Sequence, residues 1–405
     1  MKFDFDEIIS RKDTNSLNYD GWRQYIFNAG KDAQFPFSDE EYIRLWVADM
    51  DFSTPPAVLN AIRKRLDAKI LGYTRIYDDA FSAVINSWCL RQYNWEVDTT
   101  EMVVSPGIIP ALNRLVPLLI NTNEALLILT PSYTPFKKAG DYSNRNVFTS
   151  SLIENDGHYS IDFDDIESKI KNSENNIKLF IFCNPHNPTG RIWSEEELKR
   201  VGEICIANGV WIISDEIHCD LLREGKKHTP LAKLFPESDR ILTCIAPSKT
   251  FNLAGNLVSL LFIKNNSIRD EWLRLYDDFL SPLSVEATRA AYSQCDEWLK
   301  QLKNYLDGNF EFLRGFVEEE LPEARFNVPE STYLAWIDIT KYIENLPERN
   351  QLSLFFATHS GVLIEGGNMF VADGDGYIRI NVAVPRAVLH EGLRRLANTL
   401  RTLIN

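Results

Sequence analysis

KLFIFCNPHNPTGRIWSEEELKRVGEICIANGVWIISDEIHCDL, residues 178–221, holds two apolar runs on either side of one helical signal. Lys178–Cys183 and Val210–Ser214 are apolar without alternation, which predicts strands buried on both faces. Between them Ser194 and Glu197 stand at capping-box spacing, where each side chain satisfies an orphan amide at a helix start. The helix this predicts runs to about Asn208, and Gly209 is a natural residue to end it. Strand, capped helix and strand in that order give an α/β fold with right-handed crossovers.

Outward from this stretch the same pattern recurs. Ala125–Leu129 (ALLIL), Arg240–Ala246 (RILTCIA) and Val258–Ile263 (VSLLFI) read as further buried strands. After Leu283 the rhythm changes. Ser284–Glu320 predicts a long helical stretch, with Leu299, Leu302, Leu306, Phe310 and Leu313 on its apolar side. A strand at Tyr333–Ile337, a helix near Leu352–His359, a strand at Tyr377–Val382 and a final helix from about Pro385 follow. With 405 residues the chain exceeds a single core. The expectation is a large α/β domain over 55–283, with a mostly parallel sheet covered by helices, and a smaller α+β domain over 284–405. Residues 1–54 are expected to pack with the smaller domain.

Composition narrows the partners. There are 57 acidic and 43 basic residues, a formal net charge of -14, and a surface that acidic repels nucleic acid and anionic lipid. A local pocket of cations and helix N-termini still admits an anionic ligand. No apolar run reaches the roughly 18 residues of a membrane span, and MKFDFDEIISRKD (1–13) lacks the apolar core of a signal peptide. The six cysteines have no metal-ligand spacing and read as buried free thiols of a cytoplasmic protein.

Three predicted strands end in polar residues. Asn184–Gly190 (NPHNPTG) follows the first, Asp215 and Glu216 end the second, and Pro247-Ser248-Lys249-Thr250 follows the third. Each alone has a structural explanation: a rigid turn, a helix cap, a surface lysine. In sequence order they form a polar rim at the carboxyl ends of strands, where α/β sheets place ligands. Asp49 and Asp51 allow two readings, a contact with the amino end of a long substrate or a cap on the helix beginning near Pro55.

CNPHNPTGR (183–191), SDEIHCDL (214–221) and PSKTFNLAG (247–255) together resemble the fold-type I pyridoxal-phosphate (PLP) enzymes, the aspartate aminotransferase superfamily, over essentially the whole chain. LWVADMDF (45–52), LGYTRIYDD (71–79), SPGIIPAL (105–112), ESTYLAWID (330–338) and GYIRINVAVPR (376–386) resemble its cystathionine β-lyase or C–S lyase branch, the MalY/PatB type.

The resemblance implies a role for each matching residue. Lys249 is the lysine that bonds the cofactor and later takes the Cα proton. Asp215 pairs with the pyridine nitrogen, and Asn187 hydrogen-bonds the ring 3-oxygen. Tyr133 stacks on the ring, and His218 stands beside it where many aminotransferases carry Tyr. Gly107, Ile108 and Ile109 at a helix start, with Ser248, hold the phosphate. Tyr73 reaches that phosphate from a neighbouring copy, which implies a homodimer with sites at its interface. Arg379 clamps the substrate α-carboxylate, with Arg386 as a rival.

Two positions depart from the pattern. Leu257 stands where many aminotransferases have a phosphate-binding Arg, and Val371 and Ala372 interrupt a phrase that is glycine-rich in the branch. The implied reaction is β-elimination from L-cystathionine or a related cysteine S-conjugate. An aminotransferase of broad or aromatic specificity and a weakly catalytic PLP-binding regulator are the alternatives.

Overall fold

The computed structural model describes residues 2–404 apart from Tyr77, Asp278 and Glu348. Its main sheet has seven strands: β1 (Met102–Ser105), β2 (Ala125–Thr130), β3 (Asn146–Ser151), β4 (Ile177–Cys183), β5 (Trp211–Asp215), β6 (Ile241–Ile245) and β7 (Ser259–Ile263). Their order across the sheet is β1-β7-β6-β5-β4-β2-β3. The run from β6 to β3 is parallel, and β7 is antiparallel to both its neighbours.

Side chains alternate between two apolar layers, as the pleat requires. Leu126, Ile128, Leu179, Ile181 and Ile213 enter the core on one face. Leu127, Leu129, Phe180, Phe182 and Ile212 enter the other. This double burial is why the strands read as unbroken apolar runs. Helix Glu195–Ala207 covers one face, and both bonds of the Ser194–Glu197 capping box are present.

A second, three-stranded sheet comprises β8 (Leu334–Asp338), β9 (Glu365–Gly366) and β10 (Tyr377–Asn381), with β10 central and antiparallel to both. Helices Leu352–His359 and Arg386–Ile404 flank it. The N-terminal segment joins this part through a parallel pair, Ile43–Arg44 on Val362–Leu363. Ser284–Glu320 is not one helix. Helix Pro282–Gln294 ends at Cys295 (φ -113°, ψ 16°), and a second helix runs Asp296–Glu320. The first packs against helices Pro56–Asp67 and Asp79–Tyr93. Apolar periodicity continued across the break and concealed it.

All six cysteines are buried and unpaired. Among the described residues no helix is long and apolar enough to cross a membrane.

Candidate active site

Three adjacent strand ends converge on one cavity of about 270 Å³. β4 runs into the Asn184–Gly190 turn, β5 ends on Asp215, and β6 leads through Ala246 into the helical turn Pro247–Thr250. Cys183 lies opposite Asp215, and Asp215 opposite Cys244, so parallel register brings Asn187, Asp215, Ser248 and Lys249 to the same level. Gly190 closes the turn at φ +70°, where an added Cβ would stand 2.3 Å from Pro329 Cβ. Only glycine fits there.

The other walls come from distant segments. β1 passes through Gly107 into helix Ile108–Leu119, and Gly107, Ile108 and Ile109 line the cavity. Tyr133 and His218 line it too, as do Val47 and Ala48 of the N-terminal segment and Glu365 and Arg379 of the small sheet. The interrupted phrase at Val371 finds its place here. Phe370–Val371 pairs antiparallel with Ser132–Tyr133, so this loop braces the strand that carries Tyr133. Gly367 and Gly374 make the loop possible, because a Cβ on Gly367 would fall 1.6 Å from the Gly374 carbonyl oxygen.

Electrostatics mark the cavity as built for ligands. Burial lowers the Lys249 amine to about 8, and its Nζ donates to the Ala48 carbonyl at 2.5 Å. Burial raises Asp215 to about 7; its carboxylate accepts the Ile217 amide at 3.1 Å. Burial lowers His218 to about 3, so it is neutral, and its Nδ1 is buried without a partner among the described residues. Arg379 is 2% exposed. It donates to Asn187 Oδ1 at 3.1 Å and to the Trp46 carbonyl at 3.4 Å, and it pairs with Glu365. Its Nε is buried without a partner among the described residues.

Pyridoxal phosphate fits these residues. A buried carboxylate with a raised pKa needs a cation such as a pyridinium. A buried amine with a lowered pKa suits covalent attachment. The start of a twelve-residue helix offers amides to a phosphate. Leu257 also lines the cavity, and it brings no charge to that phosphate.

Tyr73 does not line the cavity. It is 94% exposed and lies beside Phe279 with ring centroids 5.2 Å apart. Arg386 is turned away, its Nε on Asn309 Oδ1 at 2.6 Å. Asp49 and Asp51 do not cap the helix at Pro56, whose preceding residue, Pro55, makes no side-chain cap. Both carboxylates are taken by Arg11, at 2.6 and 3.1 Å.

The sequence did not single out Tyr25, Glu365 or Tyr333. Tyr25 lines the mouth from helix Trp22–Phe27, with no local signal to tie it to a site so far along the chain. Tyr333 donates to Ala48 O at 2.9 Å. A larger groove, about 820 Å³ along helix Pro56–Asp67, contains none of the residues singled out as site candidates.

Residues 40–396 match the family described as aminotransferase class I and II. Cystathionine β-lyase PatB of Bacillus subtilis is 36% identical, over 90% of this chain and 94% of that one. Protein MalY of Escherichia coli is 30% identical, over 99% of this chain and 100% of that one. The crystal structure of the PLP-bound C–S lyase from Staphylococcus hominis superposes with a TM-score of 0.94 at 45% identity, covering 99% of this chain and 98% of that one.

Proposed function

The chain belongs to the class I and II aminotransferase family and is a PLP-dependent C–S β-lyase; from that premise we propose that it cleaves L-cystathionine or a related cysteine S-conjugate to a thiol, pyruvate and ammonia. The observation that carries this reading is the meeting of Asn187, Asp215 and Lys249 from three neighbouring strand ends in a cavity whose one arginine, among the described residues, is Arg379. One arginine suffices for an α-carboxylate. A substrate with an acidic side chain asks for a second, which this chain's own lining does not provide among the described residues.

When bound, pyridoxal phosphate draws electron density away from the substrate's Cα, which lets the Cα proton and then the Cβ thiolate depart. The protein supplies position and proton transfer. Lys249 would hold the cofactor covalently and, once released, would take the Cα proton at Nζ. Its lowered pKa puts the amine closer to neutrality than a solvated lysine. Asp215 would set a buried negative charge against the pyridine nitrogen. Asn187, which accepts from Arg379, would meet the ring 3-oxygen and so tie cofactor orientation to substrate orientation. Arg379 would fix the α-carboxylate. Tyr133 would stack on the ring, with neutral His218 beside it. Gly107, Ile108, Ile109 and Ser248 would take the phosphate.

We further read the enzyme as a cytoplasmic homodimer in which Tyr73 of one copy reaches the phosphate of the other. The exposure of Tyr73 together with Ile70, Leu71 and Phe279 supports an interface on that face.

The test is product analysis with purified holoenzyme and L-cystathionine, with and without an added 2-keto acid. Pyruvate, ammonia and a free thiol without the keto acid are expected. Turnover only with keto acid would make it an aminotransferase, and no product with PLP retained would favour a binding or regulatory protein.

A further inference from the structure

Glu365 is a buried acid that the reaction above does not use. It stands on β9 directly opposite Arg379 on β10, in an antiparallel register that fixes the two side chains on the same face. The pair is an ion pair inside the cavity wall, with side chains 9% and 2% exposed. Arg379 also keeps a buried Nε donor without a partner among the described residues. A guanidinium that lines a ligand pocket yet is already neutralised by its own strand neighbour is the arrangement of an occupied clamp.

An arriving α-carboxylate meets Glu365 at the same guanidinium. Two carboxylates sharing one buried cation repel each other, and the second gains less than it would from a bare arginine. We propose that Glu365 is an internal competitor for the α-carboxylate clamp: it holds Arg379 in the free enzyme and is displaced when substrate binds. The inference rests on the reading of Arg379 as that clamp. Its consequence is specificity. Small amino acids, which have little else to bind with, are held weakly. Larger S-conjugates make up the difference through contacts along their side chains. Tyr25, which lines the same cavity, gives those side chains aromatic surface.

The alternative role for Glu365 is to hold Arg379 in position, and the two roles predict opposite signs. L-Alanine carries the α-carboxylate and α-amine but no leaving group, so its dissociation constant is read from the absorbance change of the holoenzyme. In Glu365→Gln the competitor is neutral, and L-alanine is expected to bind about tenfold more tightly. The free variant also loses the counterion of a buried arginine, so L-alanine should raise its melting temperature more than it raises that of the wild type. Glu365→Asp, which draws the carboxylate back by one methylene, should move in the same direction by less. Weaker or unchanged L-alanine binding in both variants would overturn the proposal. Arg379→Lys separates the premise: if it leaves L-alanine affinity unchanged, Arg379 is not the clamp, whatever Glu365 does.

Discussion

Lys249 and Tyr333 meet at one atom. The Ala48 carbonyl accepts from Lys249 Nζ at 2.5 Å and from the Tyr333 hydroxyl at 2.9 Å. Ala48 belongs to the N-terminal segment, Lys249 follows β6 of the main sheet and Tyr333 precedes β8 of the small one, so a single acceptor joins three parts of the chain. A second clasp lies beside it, where Asn252 donates to the carbonyls of Met50 and Phe52 at 2.9 Å. The N-terminal segment is thereby pinned over the lysine, which accounts for the burial that lowers the amine to about 8.

Lys249→Ala removes both the covalent anchor and the proton acceptor. Elimination is expected to fall by about 10²-fold to 10⁴-fold or more. Borohydride treatment followed by mass spectrometry should fix the cofactor to the wild type and not to the variant. Cofactor trapped on the variant at another lysine would remove Lys249 from the mechanism.

Asp215 makes the cofactor-free protein sensitive to pH. Burial raises its carboxyl from 3.8 to about 7, so the folded chain binds a proton that the unfolded chain has released. Stability from this group is present in full below the unfolded value and is lost as pH rises toward the folded one. Each unit in that window removes about 1.4 kcal/mol. Asp215→Asn has no such loss. Urea unfolding of the cofactor-free proteins should find the variant more stable at pH 8, by on the order of a few kcal/mol. The gap should narrow toward pH 4, and a gap independent of pH would contradict the account. The same substitution should weaken cofactor binding, since it removes the charge that faces the pyridine nitrogen.

Much of this was legible because the parallel sheet is buried on both faces. That burial wrote β2, β4, β5, β6 and β7 as apolar runs, and the capping box at Ser194 marked the helix between β4 and β5. β3 was missed because four of its six residues, Asn146–Ser151, are polar and most are only partly buried or exposed at the sheet edge. β1 was missed because it has four residues. At the site, residues on strand ends were readable, since motif and chain position coincide there. Glu365 and Tyr25 were not. Their relation to Lys249 is made by packing between segments more than a hundred residues apart, and no local spacing encodes it.

Arg379 and Arg386 are both in the C-terminal motif, and the structure separates their expected phenotypes. Arg379→Lys loses a planar fork that reaches Asn187 and the ligand at once, so kcat/KM should fall by about 10²-fold, mostly through KM. Arg386 lies on Asn309 (2.6 Å), which in turn donates to the carbonyls of Val382 and Val384. Arg386→Lys should lower unfolding stability by about 1 kcal/mol and leave KM near the wild-type value. A KM effect confined to Arg386→Lys would reverse the assignment.

Tyr73 gives the sharpest separation between a residue that serves its own fold and one that serves a second copy. It is 94% exposed, and its ring rests against Phe279, so Tyr73→Phe should change the stability of the isolated chain by no more than about 0.5 kcal/mol. If the hydroxyl reaches the phosphate of a partner, the same change should weaken cofactor affinity by about 1 kcal/mol, the worth of one hydrogen bond. Mixing decides whose hydroxyl acts. Heterodimers of Lys249→Ala with Tyr73→Ala contain one site with both defects and one with neither, so mixing the two proteins should recover up to about half of a wild-type dimer's activity for each heterodimer formed. No recovery on mixing, in samples that sedimentation finds to be dimeric and exchanged, would place Tyr73 outside the shared site.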